Sequence, residues 1–121
     1  MLIPVFTVRD IAEAVAFYTG VLDFKLAFGL EGDTPFYVGL ARGPDELHLA
    51  LHFGETPRGR CSAVVVCEDV DAAFAAFVAR GLVIPDRPES PVHQGPLDQT
   101  WGTREVYIDD PSGNTLCFQQ R

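Results

Sequence analysis

Histidine and cysteine side chains on two short apolar stretches are the first residues of this chain that could do chemistry. In "ELHLALHF", His48 and His52 alternate with Ala50, so a strand would place all three on one face. Imidazoles there could hydrogen-bond a ligand or titrate near neutral pH. The two histidines would be about 13 Å apart, too far to share one metal ion. Nothing near Cys117 in sequence lowers its thiol pKa, so we expect a small buried hydrophobe rather than a nucleophile.

Three aromatic residues could provide a surface for a planar ligand. Trp101 is the only tryptophan and lies where a long loop meets a strand pattern. Stacking on its indole would add about 0.5–1.5 kcal/mol beyond burial. Phe36 and Tyr37 are consecutive in a strand pattern, so one faces each side of the sheet. The alternative for all three is a structural role, in the core or at an interface between chains.

Several acidic residues could attract a cation. Glu46, Asp98 and Glu105 could supply negative charge to a positively charged ligand, although we expect a solvated acidic surface. His93 lies in the long loop, and we expect it to be exposed.

Composition excludes several classes of protein. The 121 residues carry a net charge of −8, which argues against nucleic acid and against an anionic membrane surface. The three cysteines form no CxxC pair, and the start of the chain has no targeting pattern, so we expect a cytoplasmic protein. No apolar run approaches the 18 or so residues of a membrane helix. Motifs typical of nucleotide-binding proteins and common hydrolases are missing.

An internal repeat predicts the fold. The segment from Val8 to Tyr18 resembles the segment from Cys67 to Phe77, 59 residues later. Each runs from a short strand through an acidic N-cap, Asp10 or Asp69, into an amphipathic helix. Glu13 lies three residues after Asp10, as in a capping box.

After each helix the apolar pattern changes to a period of two. Three strand patterns follow the first helix, and "LVIPD", "REVYIDD" and "NTLCFQQ" follow the second. The chain is therefore predicted to be one α+β domain, 1–121, made of two βαβββ modules, 1–56 and 61–121, joined by a polar linker, "GETPRGR". The loop from Arg87 to Gly102 is long enough to form a rim or lid.

The duplicated unit, together with "DPSGN" before the last strand, resembles the vicinal oxygen chelate superfamily. That superfamily contains glyoxalase I, extradiol dioxygenases, fosfomycin-resistance transferases and bleomycin-resistance proteins. The resemblance implies that the two modules form a half-barrel cleft and that the protein is a homodimer.

The resemblance also implies four positions for metal ligands. One lies on the first strand and one on the last strand of each module. Here they are Ile3, Ala50, Ser62 and Cys117. Isoleucine and alanine have no donor atom, and one cysteine does not make a site. We therefore expect no metal and no cofactor.

The remaining similarity is to the metal-free bleomycin-resistance branch, through "QTWGTREVYIDDPSGNTL" and the opening "IPVFTVRDIAEAVAFYTGVLDFKLAF". We expect a protein that binds and sequesters a planar small molecule, a bleomycin-like antibiotic, rather than an enzyme. The acidic net charge is compatible with a cationic ligand. The expected ligand-binding residues are Phe36, Tyr37, His48, Ala50, His52, Trp101 and Cys117. Two alternatives stay open: a metal-dependent lyase or dioxygenase with relocated ligands such as His48 and Cys117, and a regulatory domain that binds a small effector.

Overall fold

The computed structural model describes residues 1–52 and 60–121. Contacts divide the chain into two compact units, Met1–Cys61 with Asp110–Asn114, and Ser62–Asp109 with Thr115–Arg121. The predicted linker and the end of the first module at residue 56 lie largely outside the described residues.

Each unit contains one helix and one four-stranded sheet. In the first unit these are β1 (Val5–Val8), α1 (Ile11–Gly20), β2 (Lys25–Phe28), β3 (Tyr37–Arg42) and β4 (Asp45–Leu51). In the second they are β5 (Ser62–Val66), α2 (Val70–Ala79), β6 (Leu97–Asp98), β7 (Arg104–Asp109) and β8 (Thr115–Gln120). The sheet orders, β1-β4-β3-β2 and β5-β8-β7-β6, are equivalent. The predicted α+β class with two βαβββ modules is confirmed.

The predicted aspartates are the N-cap residues of both helices. The side chain of Asp10 accepts a hydrogen bond from the Glu13 backbone N–H at 2.8 Å, and that of Asp69 accepts from the Ala72 N–H at 3.0 Å. Glu13 does not complete a capping box, because its carboxylate pairs with Arg9 at 2.6 Å. Beyond the end of α2, Gly81 has a φ of +105°, which glycine adopts without strain.

The turn "DPSGN" is part of the first unit and is tied to its core. Asp110 is buried and accepts hydrogen bonds from the Tyr18 hydroxyl at 2.9 Å and from the Asn114 N–H at 2.9 Å. The Asn114 side chain, fully buried, donates to the Thr7 carbonyl at 2.8 Å and accepts from the Cys61 N–H at 3.1 Å. The Asp110 carboxylate thus satisfies N–H groups within the turn, and Asn114 ties the turn to Thr7 and Cys61 of the same unit.

The core of the second unit lies between α2 and one face of its sheet. Phe77 of α2 packs against Phe118 of β8, with ring centroids 4.9 Å apart. Val106 and Ile108 of β7 and Leu116 of β8 are buried on the same face. Because side chains alternate along a strand, residues 105, 107, 115, 117 and 119 face the other way. That second face carries the candidate site.

One predicted strand of the second module is wrong. The stretch "LVIPD" (82–86) is not a strand, and Val83 is 84% exposed. The edge strand is instead the two-residue β6, inside the segment predicted to be a loop. Pro85 cannot donate a ladder hydrogen bond, which disfavours pairing of the earlier stretch. A 3-10 helix, Pro91–His93, forms in the same loop.

Within the described ranges, no helix is both long and apolar enough to cross a bilayer.

Candidate functional site

The open face of the second sheet forms a concave surface, which we call the sheet-2 cavity. Its volume is about 710 Å³. The register pairs Tyr107 with Cys117 and Glu105 with Gln119 across β7 and β8. Trp101, in the turn before β7, contributes a wall. The residues that line the cavity are Ser62, Ala63, Val64, Trp101, Glu105, Tyr107, Thr115, Cys117 and Gln119.

Glu105 is the centre of the hydrogen bonds in this cavity. Its Oε2 atom accepts from Thr103 Oγ1 at 2.5 Å, Gln119 Nε2 at 2.8 Å and Trp101 Nε1 at 3.2 Å. Its Oε1 atom accepts from the Cys117 thiol at 3.4 Å. The residue is only 2% exposed, so the expectation of a solvated acidic surface is wrong for Glu105. Because Glu105 lies two residues before Tyr107 on β7, the sequence places both side chains on one face of the sheet. The sequence does not show that four donors surround Glu105.

Among residues 1–52 and 60–121, the charge of Glu105 has no basic counter-ion. All four donors are neutral, and no basic side chain in the described part of the chain forms an ion pair with it. Burial alone would raise the pKa of this carboxyl, but the hydrogen bonds from Thr103, Gln119, Trp101 and Cys117 outweigh burial, and the pKa is lowered. The cavity therefore presents a carboxylate that stays ionised near neutral pH.

Cys117 is held as a thiol in this environment. Burial, followed by the hydrogen bond and negative charge of Glu105, raises its pKa to about 12. A thiol with this pKa is a poor nucleophile and a poor metal ligand near neutral pH. In the described structure Cys117 therefore acts as a hydrogen-bond donor on the cavity wall.

A second group of predicted residues lies on the open face of the first sheet. The Tyr37 hydroxyl is 2.8 Å from His48 Nδ1, and His48 Nε2 is 3.3 Å from Glu46 Oε2. Since a carboxylate can only accept, in the neutral ring Nε2 carries the hydrogen and Nδ1 accepts from the phenol. The Phe28 ring covers Gly39 and contacts the His48 ring edge-on, with centroids 5.2 Å apart. A side chain at position 39 would collide with that ring.

The other predicted residues of the first unit lie around the Tyr37–His48 pair, and no side-chain hydrogen bond joins them to it in the described part of the chain. Ala50 pairs directly with Tyr37 across β3 and β4 and shares their open face. Phe36 precedes β3 and is 65% exposed. His52 follows β4, and its buried Nε2 atom has no hydrogen-bond partner within the described ranges. The structure thus brings Tyr37, His48 and Ala50 together in one unit, and Trp101 and Cys117 together in the other.

Of the four metal-ligand positions, Ser62 and Cys117 line the sheet-2 cavity, on neighbouring strands. Ala50 lies on β4, and Ile3 precedes β1. Across residues 1–52 and 60–121, no group of three His, Cys, Asp or Glu side chains is arranged to hold a metal ion. The metal-free state itself stays a prediction.

His93 is not exposed as expected. Its side chain is 11% exposed and packs against Tyr107, with ring centroids 5.5 Å apart. The 3-10 helix, which has no strong sequence signal, directs this ring toward β7.

Residues 3–118 match the family model described as Glyoxalase/Bleomycin resistance protein/Dioxygenase superfamily. No curated protein sequence matches the chain.

Solved structures share the fold. A bleomycin-binding protein from bleomycin-producing Streptomyces verticillus, complexed with copper(II)-bleomycin, is 28% identical with a TM-score of 0.73, over 97% of this chain and 92% of that one. A bleomycin resistance determinant encoded on the transposon Tn5 is 22% identical with a TM-score of 0.79, over 100% and 97%. TioX from Micromonospora sp. ML1 is 19% identical with a TM-score of 0.74, over 100% and 95%.

Proposed function

The chain belongs to the Glyoxalase/Bleomycin resistance protein/Dioxygenase superfamily, and from this premise we propose that it binds and sequesters a planar, cationic small molecule in the sheet-2 cavity. Bleomycin or a compound like it is the first ligand class to consider, because two similar structures are of proteins named for that drug. The proposed mechanism is mass action: the bound compound is withheld from its target without being changed.

The observation that carries this proposal is the buried carboxylate of Glu105, which pairs with no basic side chain in the part of the chain that the structure describes. A buried charge without a partner is costly, and a ligand that brings a positive charge recovers the interaction. Oε1 accepts only from a thiol, which is a weak donor, so it retains capacity for an ammonium or guanidinium hydrogen. The four neutral donors hold the carboxylate in place before any ligand arrives.

Trp101 supports the planar part of the proposal. Its side chain is 65% exposed although it hydrogen-bonds to Glu105, so its aromatic surface is accessible beside the charge. A flat cation could then stack on the indole while its positive group pairs with Glu105, which combines ring contact with charge. The open face of the first unit, considered by itself, is proposed as a separate ligand-contact surface formed by Tyr37, His48 and Ala50, with Phe36 and His52 at its margins.

A metal-dependent lyase or dioxygenase of the same superfamily is the alternative function. It requires relocated ligands, and the high pKa of Cys117 does not favour that residue as one of them. A stoichiometric metal in the purified protein and turnover that EDTA abolishes would establish it.

We also propose a homodimer, implied by the family resemblance, and a cytoplasmic location, which suits three cysteines without a CxxC pair.

The experiment is a titration of Trp101 fluorescence, since this is the only tryptophan. Metal-free and copper(II)-bleomycin are added with and without EDTA, and ethidium is the planar cation for comparison. Saturable quenching near one ligand per chain that EDTA leaves unchanged supports sequestration. No response to any of the three, together with tightly bound metal by elemental analysis, replaces the proposal with the metal-dependent alternative.

A further inference from the structure

A second cluster of polar side chains lies at the 3-10 helix of the second unit, outside the sheet-2 cavity. Ser90 Oγ is 2.7 Å from His93 Nδ1, and His93 Nε2 is 3.2 Å from Asp109 Oδ1. Because the carboxylate can only accept, in the neutral ring Nε2 carries the hydrogen and Nδ1 accepts from the serine hydroxyl. The order hydroxyl, imidazole, carboxylate is that of an activated serine, with the two ring nitrogens exchanged relative to the usual arrangement.

The carboxylate and the imidazole are both fixed in position. Asp109 also accepts hydrogen bonds from Thr115 Oγ1 at 2.6 Å and from Arg87 Nη1 at 3.1 Å. The His93 ring stands edge-on to Tyr107 and is largely buried. An imidazole that is held by a carboxylate and by packing is already oriented to accept a proton.

The serine hydroxyl is not used by the fold in another way. Ser90 precedes the 3-10 helix, yet its side chain makes no capping hydrogen bond. The residue is partly exposed, so solvent water can approach it. The one hydrogen bond of its hydroxyl in the described structure is the bond to His93.

An apolar cavity adjoins the same imidazole. Its volume is about 210 Å³, and its wall includes Phe74, Leu82 and Ile84 together with Arg87, His93 and Asp109. The apolar side chains suit a short hydrocarbon chain. The Arg87 guanidinium lies at the polar end of the cavity, where Nη1 pairs with Asp109 at 3.1 Å and Nε lies 3.6 Å from Glu89.

We propose that Ser90, His93 and Asp109 form an acyl-transfer site for esters of short apolar acids. Ser90 Oγ attacks the ester carbonyl, a Ser90 Oγ–carbon bond forms, and the bond to the leaving alcohol breaks. The serine proton passes to His93 Nδ1 and then to the departing alkoxide. Water next attacks the acyl-serine, giving up a proton to His93. The Ser90 Oγ–carbon bond breaks, the carboxylic acid leaves, and Ser90 regains its proton.

The test uses the intact protein with a fluorophosphonate probe and p-nitrophenyl butyrate. We expect one phosphonyl adduct per chain, mapped to Ser90 by peptide mass spectrometry. Ester hydrolysis should fall to background in Ser90→Ala and by about 100-fold in Asp109→Asn, because the imidazole loses its orienting carboxylate. Ser112→Ala is the control, since Ser112 lies in the other unit and its hydroxyl accepts from the Arg9 N–H, and we expect its rate to match the unmodified protein.

The proposal is overturned if the adduct maps elsewhere, if no adduct forms, or if Ser90→Ala hydrolyses the ester as fast as the unmodified chain. Mapping the adduct on the unmodified protein needs no variant, so a folding defect cannot hide the answer. A saturating ligand of the sheet-2 cavity should not protect Ser90, because that cavity is lined by other residues apart from Tyr107.

Discussion

Trp101 donates its indole hydrogen to Glu105 Oε2 over 3.2 Å, which joins the exposed aromatic surface of the cavity to its buried charge. One side chain offers a face for stacking, and the other offers a negative charge that no basic residue neutralises in the described structure. A ligand that stacks on Trp101 is therefore close enough to place a positive group against Glu105.

The first prediction concerns that charge. Glu105→Gln keeps hydrogen-bond acceptance but removes the charge, and it should weaken binding of ethidium by about 10- to 100-fold, the range for a hydrogen bond to a charged group. A neutral planar compound of similar size should lose less than about threefold. Calorimetry of both compounds measures the difference. Asp98→Asn is the matched control, because the Asp98 side chain is 82% exposed and pairs with Arg104. Equal losses for the cation and the neutral compound would remove Glu105 as the cation-binding group.

The second prediction concerns pH. The pKa of Glu105 is lowered, so the carboxylate stays ionised down to and below the ordinary glutamate value of about 4.3. Affinity for a permanently charged cation should be constant from pH 7 to about pH 5. It should fall only as pH passes through the lowered pKa. The stability of the fold should depend on pH in the same direction. The contribution of Glu105 to the free energy of unfolding is fully present above the pKa of this carboxyl in the unfolded chain, and it is lost as pH falls through the lower pKa in the folded protein. A loss of binding centred between pH 6 and 7 would contradict this assignment.

The third prediction separates stacking from stability. Trp101→Ala should weaken binding of a planar ligand by about 2- to 13-fold, equivalent to about 0.5–1.5 kcal/mol of ring contact. The free energy of unfolding should fall by only about 1.5 kcal/mol, because the side chain is mostly exposed but donates one of the four hydrogen bonds to the Glu105 carboxylate. Calorimetry and urea unfolding measure the two quantities. Phe77→Ala is the contrasting variant for stability: it removes a buried core ring and should lower the free energy of unfolding by about 3–5 kcal/mol. A large loss of stability in Trp101→Ala would indicate a structural tryptophan.

The fourth prediction concerns Cys117. With a pKa of about 12, its reaction with iodoacetamide at pH 7.5 should be roughly a thousandfold slower than that of an ordinary exposed thiol. The rate should rise with pH through pH 10, since only the thiolate reacts. Glu105→Gln removes the hydrogen bond to a carboxylate and its charge, so it should lower the thiol pKa and speed the reaction, while burial keeps it slower than normal. Peptide mapping distinguishes Cys117 from Cys61 and Cys67. Rapid labelling of Cys117 at neutral pH would refute the described environment.

Local sequence signals predicted the fold better than the site. Asp10 and Asp69 begin their helices because short acidic side chains satisfy free N–H groups nearby in the chain. The stretch at 82–86 has the alternation of a strand, but alternation does not report whether an edge is available for pairing. Glu105 looked like a surface acid because its donors, Thr103 excepted, come from a turn and a neighbouring strand that sequence spacing does not align.

The last prediction tests why "DPSGN" belongs to the first unit. Tyr18 is buried on α1, and its hydroxyl donates to Asp110 Oδ2 at 2.9 Å. Burial and the charge of Asp110 raise the pKa of this tyrosine, so it remains a neutral donor at every ordinary pH. Tyr18→Phe leaves the ring in place but removes one donor to a buried carboxylate, and it should lower the free energy of unfolding by about 1.5–3 kcal/mol.

Urea unfolding measures this loss, with Tyr107→Phe as the matched control. The Tyr107 hydroxyl makes no hydrogen bond in the described structure and sits on a cavity wall, so its removal should cost less than about 0.5 kcal/mol. Asn114→Ala removes the bonds from the turn to Thr7 and Cys61 and should cost at least as much as Tyr18→Phe. If Tyr18→Phe is as stable as the unmodified chain, the turn is held by its own backbone geometry, and its contact with α1 adds nothing to the fold.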